Sequence, residues 1–351
     1  MNEYRIAVIA GDGIGKEVIP AGKRVLEAAL GDSAKLVWDD LDWGSDHYRR
    51  TGAMMPADGL ETLKQHDAIY LGAVGDPPAI PDHVTLWGLL LPIRKTFDLY
   101  VNVRPIKLLP GVTGPLVGKT SSDIDMLWVR ENTEGEYAGV GGRVHTHTSH
   151  EVAIQTSVFS RFNVERVARF SFDLARSRRG HLTSVTKSNA MQYAFPFWDE
   201  VINEVAQEYP DVIVTSLLVD AAAALMVRAP ERFDVVVGSN LFADILTDLG
   251  GAIMGSLGLP PSANLAADPA FPSLFEPVHG SAPDIAGQGL ANPLASIWAG
   301  AMMLEHIGEK EAADRVMQAL EKTTAEGKVL TGDLGGNANT NQVADRVIEL
   351  L

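Results

Sequence analysis

Two aspartates near the middle of the chain, Asp244 and Asp248, have the spacing that most clearly suggests chemistry. A β-branched run at 235–237 predicts a buried strand, and Ser239 or Asn240 can cap the helix that follows. Four residues apart on that helix, the two carboxylates lie on one face, where like charges destabilise a bare helix. Mg2+ or Mn2+ would relieve this repulsion, because hard cations prefer oxygen ligands. The alternative is one acid at a helix N-terminus beside a solvated one, but the apolar neighbours favour a buried helix that lines a site.

Three arginines, Arg94, Arg104 and Arg130, each close an apolar run. A guanidinium in such a place is costly to bury without an anionic partner. One such arginine is ordinarily a surface or salt-bridge residue. Three indicate a pocket for a small dicarboxylate, because arginine binds a carboxylate through paired hydrogen bonds. The run at 100–105 around Arg104 predicts a strand that ends at Pro105.

Three further polar residues could transfer protons or pair charges. Tyr137 can act as a general acid if a nearby cation lowers its pKa, although a tyrosine in a glycine-rich loop is more often structural. Lys187 can act as a base if a neighbouring positive charge depresses its pKa. Asp220 interrupts an apolar run and has three interpretations: a metal ligand, a partner of a buried lysine, or the N-cap of the alanine-rich helix after it.

Two glycine-rich segments suggest contact with a nucleotide. The loop at 276–287 combines glycines, a capping serine and an acid ahead of a predicted helix. Backbone N–H groups there can hold a pyrophosphate, and Asp284 can accept hydrogen bonds from ribose hydroxyls. Gly11, Gly13 and Gly15 also lie between a strand and a helix, but their spacing departs from the dinucleotide-binding fingerprint. We therefore predict a tight turn that passes close to a ligand or to the adjoining helix.

The composition excludes several classes of protein. The 351 residues are enough for two domains, and 29 basic against 45 acidic residues give a net charge of −16. That charge argues against nucleic acid or an anionic membrane surface as the main partner. The absence of cysteine excludes disulfides, thiol catalysis and Cys-ligated zinc. No signal peptide precedes the first strand and no apolar run reaches the ~20 residues that a bilayer requires, so a cytoplasmic protein is expected.

Predicted strands alternate with helical patterns along most of the chain, which indicates an α/β protein with a largely parallel sheet. Residues 140–157 depart from this pattern and predict an antiparallel hairpin or arm. Within the arm, His145 and His147 would share one face of a strand, and with His150 they admit a metal site, although the surrounding Thr and Ser favour a solvated arm. The last hundred residues are predicted to be helical, with a loop at 258–272. Strands are predicted at 5–11, 34–41, 68–71, 126–130, 212–218 and 234–237, and a helix at 15–30.

Longer motifs resemble the β-decarboxylating 2-hydroxyacid dehydrogenases, the family of the isopropylmalate, isocitrate, tartrate and D-malate dehydrogenases. Residues 130–137 read Arg-Glu-Asn-Thr-Glu-Gly-Glu-Tyr, and residues 240–248 read Asn-Leu-Phe-Ala-Asp-Ile-Leu-Thr-Asp. Residues 276–287 read Glu-Pro-Val-His-Gly-Ser-Ala-Pro-Asp-Ile-Ala-Gly. The resemblance covers essentially the whole chain.

The resemblance implies an α/β fold of the isopropylmalate dehydrogenase type, with two domains and a shared, mixed, largely parallel sheet, and not a Rossmann fold. A large cofactor-binding domain would comprise 1–100 and 256–351. A small domain would comprise 101–255, with metal and substrate residues, the dimer interface and an arm at about 138–158. Family members are usually homodimers whose active sites lie between subunits.

The resemblance also implies a role for each candidate residue. Lys187 would help to remove the hydroxyl proton, and Tyr137 would protonate the enolate left by decarboxylation. The substrate carboxylates would bind to Arg94, Arg104 and Arg130. Mg2+ or Mn2+ would bind to Asp244 and Asp248 together with Asp220, which comes, like Lys187, from the neighbouring subunit. The cofactor would bind to His279, Gly280, Ser281, Ala282, Asp284, Ile285 and Asn292.

The cofactor expected from the resemblance is NAD, because Asp284 would repel the 2′-phosphate of NADP and users of NADP tend to carry Lys and Tyr at 284 and 285. Involvement of K+ stays open. The substrate segment at 81–91 is similar to that of the tartrate and D-malate enzymes. Trp87 would shorten the pocket, and Leu90 and Leu91 offer no hydrogen bond to a third carboxylate. We expect D-malate or tartrate as substrate.

The sequence is also compatible with other functions. The first alternative is 3-isopropylmalate dehydrogenase, whose members typically carry Glu where Trp87 stands. A second is a catalytically silent protein that binds metal and nucleotide, which the presence of both Tyr137 and Lys187 disfavours. A third is a metal-dependent lyase or phosphatase, against which the arginines and the NAD-like loop argue. Pro92 is unusual for the family and is expected to kink the helix before Arg94.

Overall fold

The computed structural model describes residues 2–351. Its strands are β1 (Asn2–Gly11), β2 (Ala34–Asp40), β3 (Ala68–Ala73), β4 (Val101–Lys107), β5 (Asp125–Glu131), β6 (Gly135–Val144), β7 (Val152–Val158), β8 (His181–Thr186), β9 (Ile213–Leu218), β10 (Val235–Gly238), β11 (Pro261–Leu265) and β12 (Ser273–Pro277). Its α-helices are α1 (Gly15–Leu30), α2 (Ser45–Thr51), α3 (Gly59–Leu63), α4 (Asp82–Thr85), α5 (Leu91–Thr96), α6 (Arg161–Arg176), α7 (Ala194–Ala206), α8 (Val219–Arg228), α9 (Asn240–Ile253), α10 (Leu294–His306), α11 (Lys310–Glu326) and α12 (Thr340–Glu349).

The chain divides into two compact units. Unit 1 comprises Met1–Leu99, Lys107–Ile124 and Gly251–Leu351, and unit 2 comprises Tyr100–Ile106 and Asp125–Gly250. The boundaries at 99/100 and 250/251 lie within a few residues of the domain boundaries proposed from the sequence. The segment Lys107–Ile124 belongs to unit 1, whereas the domain boundaries proposed from the sequence place it in the small domain.

Unit 1 has the strand order β2-β1-β3-β12-β11. The pairs β1–β2, β1–β3 and β3–β12 are parallel, and β11–β12 is antiparallel. β3 is buried along its whole length, which explains why it reads as a continuous apolar run and not as an alternating one. One hydrophobic cluster of unit 1 joins Ile9, Leu71 and Leu274 to Ile93 of α5 and to Phe97, the residue that follows this helix.

Unit 2 has the strand order β4-β5-β10-β8-β9, and β10 pairs in parallel with both β5 and β8. The short run Val235–Gly238 is buried, as expected for a central strand. β6 and β7 form a separate antiparallel hairpin, so the predicted arm is confirmed. Among residues 2–351, no helix has the length and apolar character needed to cross a bilayer.

Three local predictions were wrong. β4 does not end at Pro105 but continues to Lys107, because proline suits an extended backbone and withholds only its own N–H. β11 and β12 lie where a loop and helices were predicted: β11 lacks β-branched residues, and its Ser and Asn side chains are buried. His145 and His147 do not lie on one strand face, because both have positive φ in the turn after β6.

The helix before Arg94 contains a wider π-helical turn at Leu86–Leu90, followed by α5. The N–H of Leu91 donates to the carbonyl of Leu86, five residues earlier. Pro92 then lies in the first turn of α5, where a missing N–H is tolerated. The irregularity found here is a widened turn just ahead of the proline, and the kink expected at Pro92 stays a prediction.

The turn at Gly11–Gly15 packs against backbone carbonyls of neighbouring segments. A Cβ on Gly11 would lie 2.0 Å from the carbonyl oxygen of Ala73, and one on Gly13 would lie 1.9 Å from that of Ser281. The N–H of Ile14 donates to the same carbonyl of Ser281 at 2.9 Å. The close approach predicted for these glycines is therefore to other backbone, and it joins the start of α1 to the 276–287 loop.

We predict that Gly13→Ala destabilises the protein far more than Gly31→Ala. Both glycines have φ near +50°, but a Cβ at Gly31 meets nothing within 4 Å. The Gly31 variant should lose about 1–3 kcal/mol of unfolding free energy from backbone strain alone. The Gly13 variant should lose more, because the Ser281 carbonyl must move. Urea unfolding of both variants measures the difference, and equal losses would contradict the steric explanation.

Candidate active site

The helix that carries the paired aspartates, α9, starts at a side-chain cap. Of the two predicted capping residues, Ser239 performs this role: its Oγ accepts a hydrogen bond from the N–H of Phe242 at 3.4 Å. Asn240 is instead the first helical residue, and its side chain turns to other partners. The tight connection from β10 into α9 thereby places the first turn of the helix at the end of the buried strand.

Glu136, which the sequence reading did not single out, holds the same helix end. One carboxylate oxygen accepts from Ser239 Oγ at 2.9 Å, and the other accepts from the N–H of Leu241 at 3.0 Å. A carboxylate at a helix N-terminus is favoured by the unpaired N–H groups and by the helix dipole. Since Glu136 precedes Tyr137, this contact also places the tyrosine beside α9.

Asp244 is the centre of a charged cluster in unit 2. Its Oδ1 contacts Nη1 of Arg130 and lies 3.3 Å from Nη1 of Arg104. Its Oδ2 accepts a hydrogen bond from the hydroxyl of Tyr137 at 3.0 Å. The two guanidiniums are buried, so the carboxylate compensates charges that would otherwise be costly to desolvate. The structure thus brings together two of the predicted substrate arginines, the predicted general acid and a predicted metal ligand.

Neutral side chains position both guanidiniums. Nε and Nη2 of Arg130 donate to Oδ1 of Asn240 at 3.0 and 2.7 Å. Nε of Arg104 donates to Oδ1 of Asn102 at 3.0 Å, and its Nη1 donates to Oγ1 of Thr247 at 2.7 Å. These acceptors add no charge, so the two arginines keep their attraction for an anionic ligand.

Asp248 follows one turn after Asp244 on α9. Partial burial and the neighbouring carboxylate of Asp244 raise the pKa of Asp248, and the charges of Arg104 and Arg130 oppose this. A bound divalent cation would remove this penalty, so the pair has the donor chemistry that Mg2+ or Mn2+ requires. Within residues 2–351, no group of three or more His, Cys, Asp or Glu side chains is arranged to hold a metal. Asp220 therefore does not complete the set inside this chain.

Asp220 and Lys187 form an ion pair, with 3.2 Å between Oδ2 and Nζ. The ammonium of Lys187 lowers the pKa of Asp220, and backbone N–H groups at the start of α8 add to the effect. Asp220 is the second residue of α8, and Leu218 occupies the N-cap position, so the capping interpretation was wrong. The partner of Lys187 found in this chain is thus a carboxylate, whereas the argument from the sequence required a cationic neighbour.

The environment of Tyr137 differs from the one predicted. Burial, the charge of Asp244 and the hydrogen bond to it raise the pKa of Tyr137, although Arg130, 5.4 Å from the ring centre, acts in the opposite direction. The phenol is stabilised because it donates to a carboxylate. Tyr137 is therefore held in its protonated form, the form that a general acid needs.

Arg94 lies in unit 1 on α5 and has a different partner. Its Nη2 donates to Oε1 of Glu276 at 3.0 Å, and the same oxygen accepts from Nδ2 of Asn264 at 2.9 Å. The guanidinium is buried, yet its Nε has no partner among the described residues. A buried donor without an acceptor suits a site that binds an anion. Glu276 opens the predicted cofactor motif, but its link to Arg94 was not predicted.

His279, in the 276–287 loop, has a buried ring nitrogen without a hydrogen-bond partner among the described residues. Nδ1 of His279 contacts the carbonyl of Gly280 at 3.0 Å, and Nε2 has no partner in the part of the chain described. Burial lowers the pKa of His279, so the ring is neutral and Nε2 can accept a hydrogen bond from a ligand. This orphaned acceptor, next to the exposed Gly280, fits a bound nucleotide.

The sequence predicts that this loop leads directly into a helix, and the structure differs. Turns occupy 283–289, and α10 begins only at Leu294. Asp284 is exposed, whereas Ile285 packs against Ile14 and Val18 of the α1 end. Ser281 is buried, and Ala282 has a positive φ of 41°.

Both polar groups of the Asn292 side chain form hydrogen bonds within the protein. Its Nδ2 donates to Asp333 at 2.9 Å, and its Oδ1 accepts from the N–H of Leu294 at 3.0 Å. The amide oxygen therefore supports the start of α10, and the amide nitrogen joins it to Asp333. Its predicted contact with the cofactor stays a prediction.

The proposed specificity residues differ in exposure. Trp87 lies on the π-helical turn with 49% of its surface exposed, and the ammonium of Lys95 is 5.0 Å from its ring centre. Leu91 is partly exposed. Leu90 is buried in the core of unit 1 beside Trp43 and Met54, which favours a packing role for it.

Comparison with known proteins agrees with the motifs. Residues 5–347 match the isocitrate/isopropylmalate dehydrogenase family. The chain belongs to this family. The predicted fold class is confirmed: an α/β fold of the isocitrate and isopropylmalate dehydrogenase type, with a large, mixed, mostly parallel sheet.

Two relatives and one solved structure illustrate the similarity within the family. The chain is 52% identical over 359 residues to D-malate dehydrogenase (decarboxylating) of Escherichia coli strain K12, covering 100% of this chain and 99% of that protein. It is 50% identical over 359 residues to tartrate dehydrogenase/decarboxylase of Pseudomonas putida, covering 100% and 98%. The crystal structure of isocitrate dehydrogenase from Methylococcus capsulatus matches with a TM-score of 0.89 at 36% identity, covering 99% of each chain.

A buried carboxyl beside the cluster gives a prediction about pH. Oε1 of Glu131 accepts from the N–H groups of Thr133 and Glu134 at 2.7 and 2.9 Å and from Asn163 at 2.6 Å. Oε2 is buried without a partner among residues 2–351, and burial raises the pKa of Glu131. A raised carboxyl pKa stabilises the folded state below the unfolded pKa of about 4.3, and this stabilisation is lost as the pH rises through the folded value.

We therefore expect Glu131→Gln to become more stable relative to the wild-type protein as the pH rises from about 4.5 to 8. The amide keeps the Oε1 acceptor and removes the charge that burial disfavours. Denaturant unfolding of both proteins across this range measures the difference in unfolding free energy. A constant difference across the range would show that Glu131 is ionised in the folded protein without penalty.

Proposed function

We propose that this chain is an NAD-dependent and divalent-metal-dependent enzyme that oxidises and decarboxylates D-malate, tartrate or both. The observation that carries the proposal is the cluster of Arg104, Arg130 and Tyr137 around Asp244, one turn before Asp248. Family membership supports a decarboxylating dehydrogenase, and the names of the relatives that act on D-malate and tartrate support a four-carbon substrate. With D-malate, the products would be pyruvate, CO2 and NADH.

In the proposed mechanism, the substrate carboxylates bind to Arg94, Arg104 and Arg130 through charge-assisted hydrogen bonds. When bound, the divalent cation would polarise the hydroxyl oxygen and NAD would accept the hydride from C2. Asp244 and Asp248 are the residues that would hold the cation. The arginine contacts of Asp244 would then be exchanged for contacts with substrate, so each charge keeps an opposite partner.

The proton transfers are proposed for Lys187 and Tyr137. Lys187 would help to remove the hydroxyl proton, which requires that its ammonium be neutral at that moment. Tyr137 would donate the proton to the carbon that loses CO2. Its hydrogen bond to Asp244 keeps the phenol protonated until that carbon becomes basic.

A second copy of the chain is part of the proposal. Asp220, with 66% of its side chain exposed, and Lys187 would act in the active site of the partner subunit. Apolar residues of the β6–β7 hairpin support this arrangement, since Val140, Val144, Val152 and Ile154 are exposed and suit burial against another chain.

Initial rates of NADH formation at 340 nm, with Mn2+ and K+ present, test the proposed function. D-malate, L-tartrate, meso-tartrate, 3-isopropylmalate and isocitrate would be compared, each with NAD and with NADP. We expect the highest kcat/KM with NAD and a four-carbon acid, and loss of turnover when EDTA removes the metal. A lead for 3-isopropylmalate would overturn the substrate assignment but keep the mechanism. The absence of turnover with every acid would overturn the proposed function.

We predict that Trp87→Ala shifts preference toward a bulkier substrate. If the indole shortens the pocket, its removal should raise the kcat/KM ratio of 3-isopropylmalate to D-malate by about tenfold or more. Leu86→Ala is the matched control, because Leu86 is also exposed on the π-helical turn. An unchanged ratio, or an equal change in the control, would show that Trp87 does not limit substrate size.

A further inference from the structure

Asn240 connects two segments of unit 2 that carry the charged cluster. It is the first residue of α9 and is 3% exposed. Its Nδ2 donates to the backbone carbonyl of Glu134 at 3.1 Å. Its Oδ1 accepts from both Nε and Nη2 of Arg130. Both ends of this buried amide are therefore used, one toward the 130–137 segment and the other toward an arginine.

The geometry of Arg130 depends on this acceptor. One oxygen that receives both N–H groups from one edge of a planar guanidinium determines the orientation of the plane. The opposite nitrogen, Nη1, then reaches Asp244. A small rotation about the side-chain axis would move Nη1 away from that position. Asn240 thus controls where Arg130 presents its charge.

Neighbouring residues hold Asn240 itself. Gly135 has a φ of +67°, and a Cβ at this position would lie 3.2 Å from Cβ of Asn240. The chain therefore passes close to Asn240, and it does so just after Glu134, whose carbonyl orients the amide. With the nitrogen directed to a carbonyl, the oxygen has to face the guanidinium, because reversing the amide would place two acceptors against each other and a donor against Arg130.

We propose that Asn240 is a positioning residue for substrate recognition, acting through Arg130. This inference rests on the proposed function, in which Arg130 binds a substrate carboxylate. A neutral acceptor is suited to the role, because an aspartate at this position would cancel part of the charge that attracts the dicarboxylate. Asn240 need not touch the substrate.

The experiment measures the dissociation constant of D-malate by calorimetry in the presence of Mg2+ and without NAD, so that no turnover occurs. Asn240→Leu should weaken binding about tenfold or more, because Arg130 loses its orienting acceptor. The matched control is Ser184→Ala. Ser184 is also buried and also accepts from a side-chain N–H, that of Trp198, which has no role in the proposed site. The control should change the dissociation constant by less than about twofold.

A double-mutant cycle separates positioning from a general structural defect. In an Arg130→Lys background, Asn240→Leu should weaken D-malate binding by less than about twofold, because the group through which it acts is gone. Equal fold-losses in both backgrounds would overturn the proposal. Asn240→Ser provides a second variant if the leucine prevents folding, and far-UV circular dichroism checks each protein.

Binding by the wild-type protein separates a failure of the proposed function from a failure of the positioning role of Asn240. If wild-type protein binds none of the four-carbon acids, the proposed function fails and this inference fails with it. If wild-type protein binds D-malate and Asn240→Leu binds it equally well, only the positioning role is overturned. In steady-state assays, the variant should raise the KM for D-malate and leave the KM for NAD within about twofold of the wild-type value.

Discussion

The burial of guanidinium groups is the constraint on which the rest of the site depends. Arginine stays protonated in proteins, so a buried guanidinium needs oxygen atoms that accept its hydrogen bonds in place of water. Among the contacts described for Arg104 and Arg130, Asn102, Asn240 and Thr247 provide neutral oxygens, and the carboxylate of Asp244 contacts both guanidiniums. An anionic ligand therefore has to compete with this carboxylate for the two arginines.

Much of the fold could be predicted because its central strands are apolar on both faces. Runs such as 68–71 and 235–237 are typical of strands buried on both faces, and the strands found there extend them by only a residue or two. β11 and β12 were not predictable in the same way, since their short sequences include prolines and buried polar residues, which are not typical of strands. The position of Lys107–Ile124 in unit 1 likewise depends on tertiary packing, which periodicity does not report.

The residues with a chemical role in the candidate site could be predicted from the sequence. The residues that hold them in place could not. Asp244, Arg130 and Tyr137 are unusual in their local sequence and were identified for that reason. Asn240 reads as a helix-capping residue and Glu136 as one acid among several in its segment. Their contacts appear only when the 130–137 segment lies against α9. The capping interpretation of Asp220 was wrong because α8 begins one residue before it, whereas the alternative of a lysine partner agrees with the ion pair to Lys187.

The strand β6 begins at Gly135, includes Tyr137 and continues to Val144 in the hairpin. Its pairing with β7 shifts register between Gly135 and Val140, and within this irregular stretch the carboxylate of Glu136 binds the N-terminus of α9. Beyond it the pairing is regular, and the side chains of Val140 and Val144 are exposed. One strand therefore contributes to the site where its pairing is irregular and exposes apolar side chains where its pairing is regular.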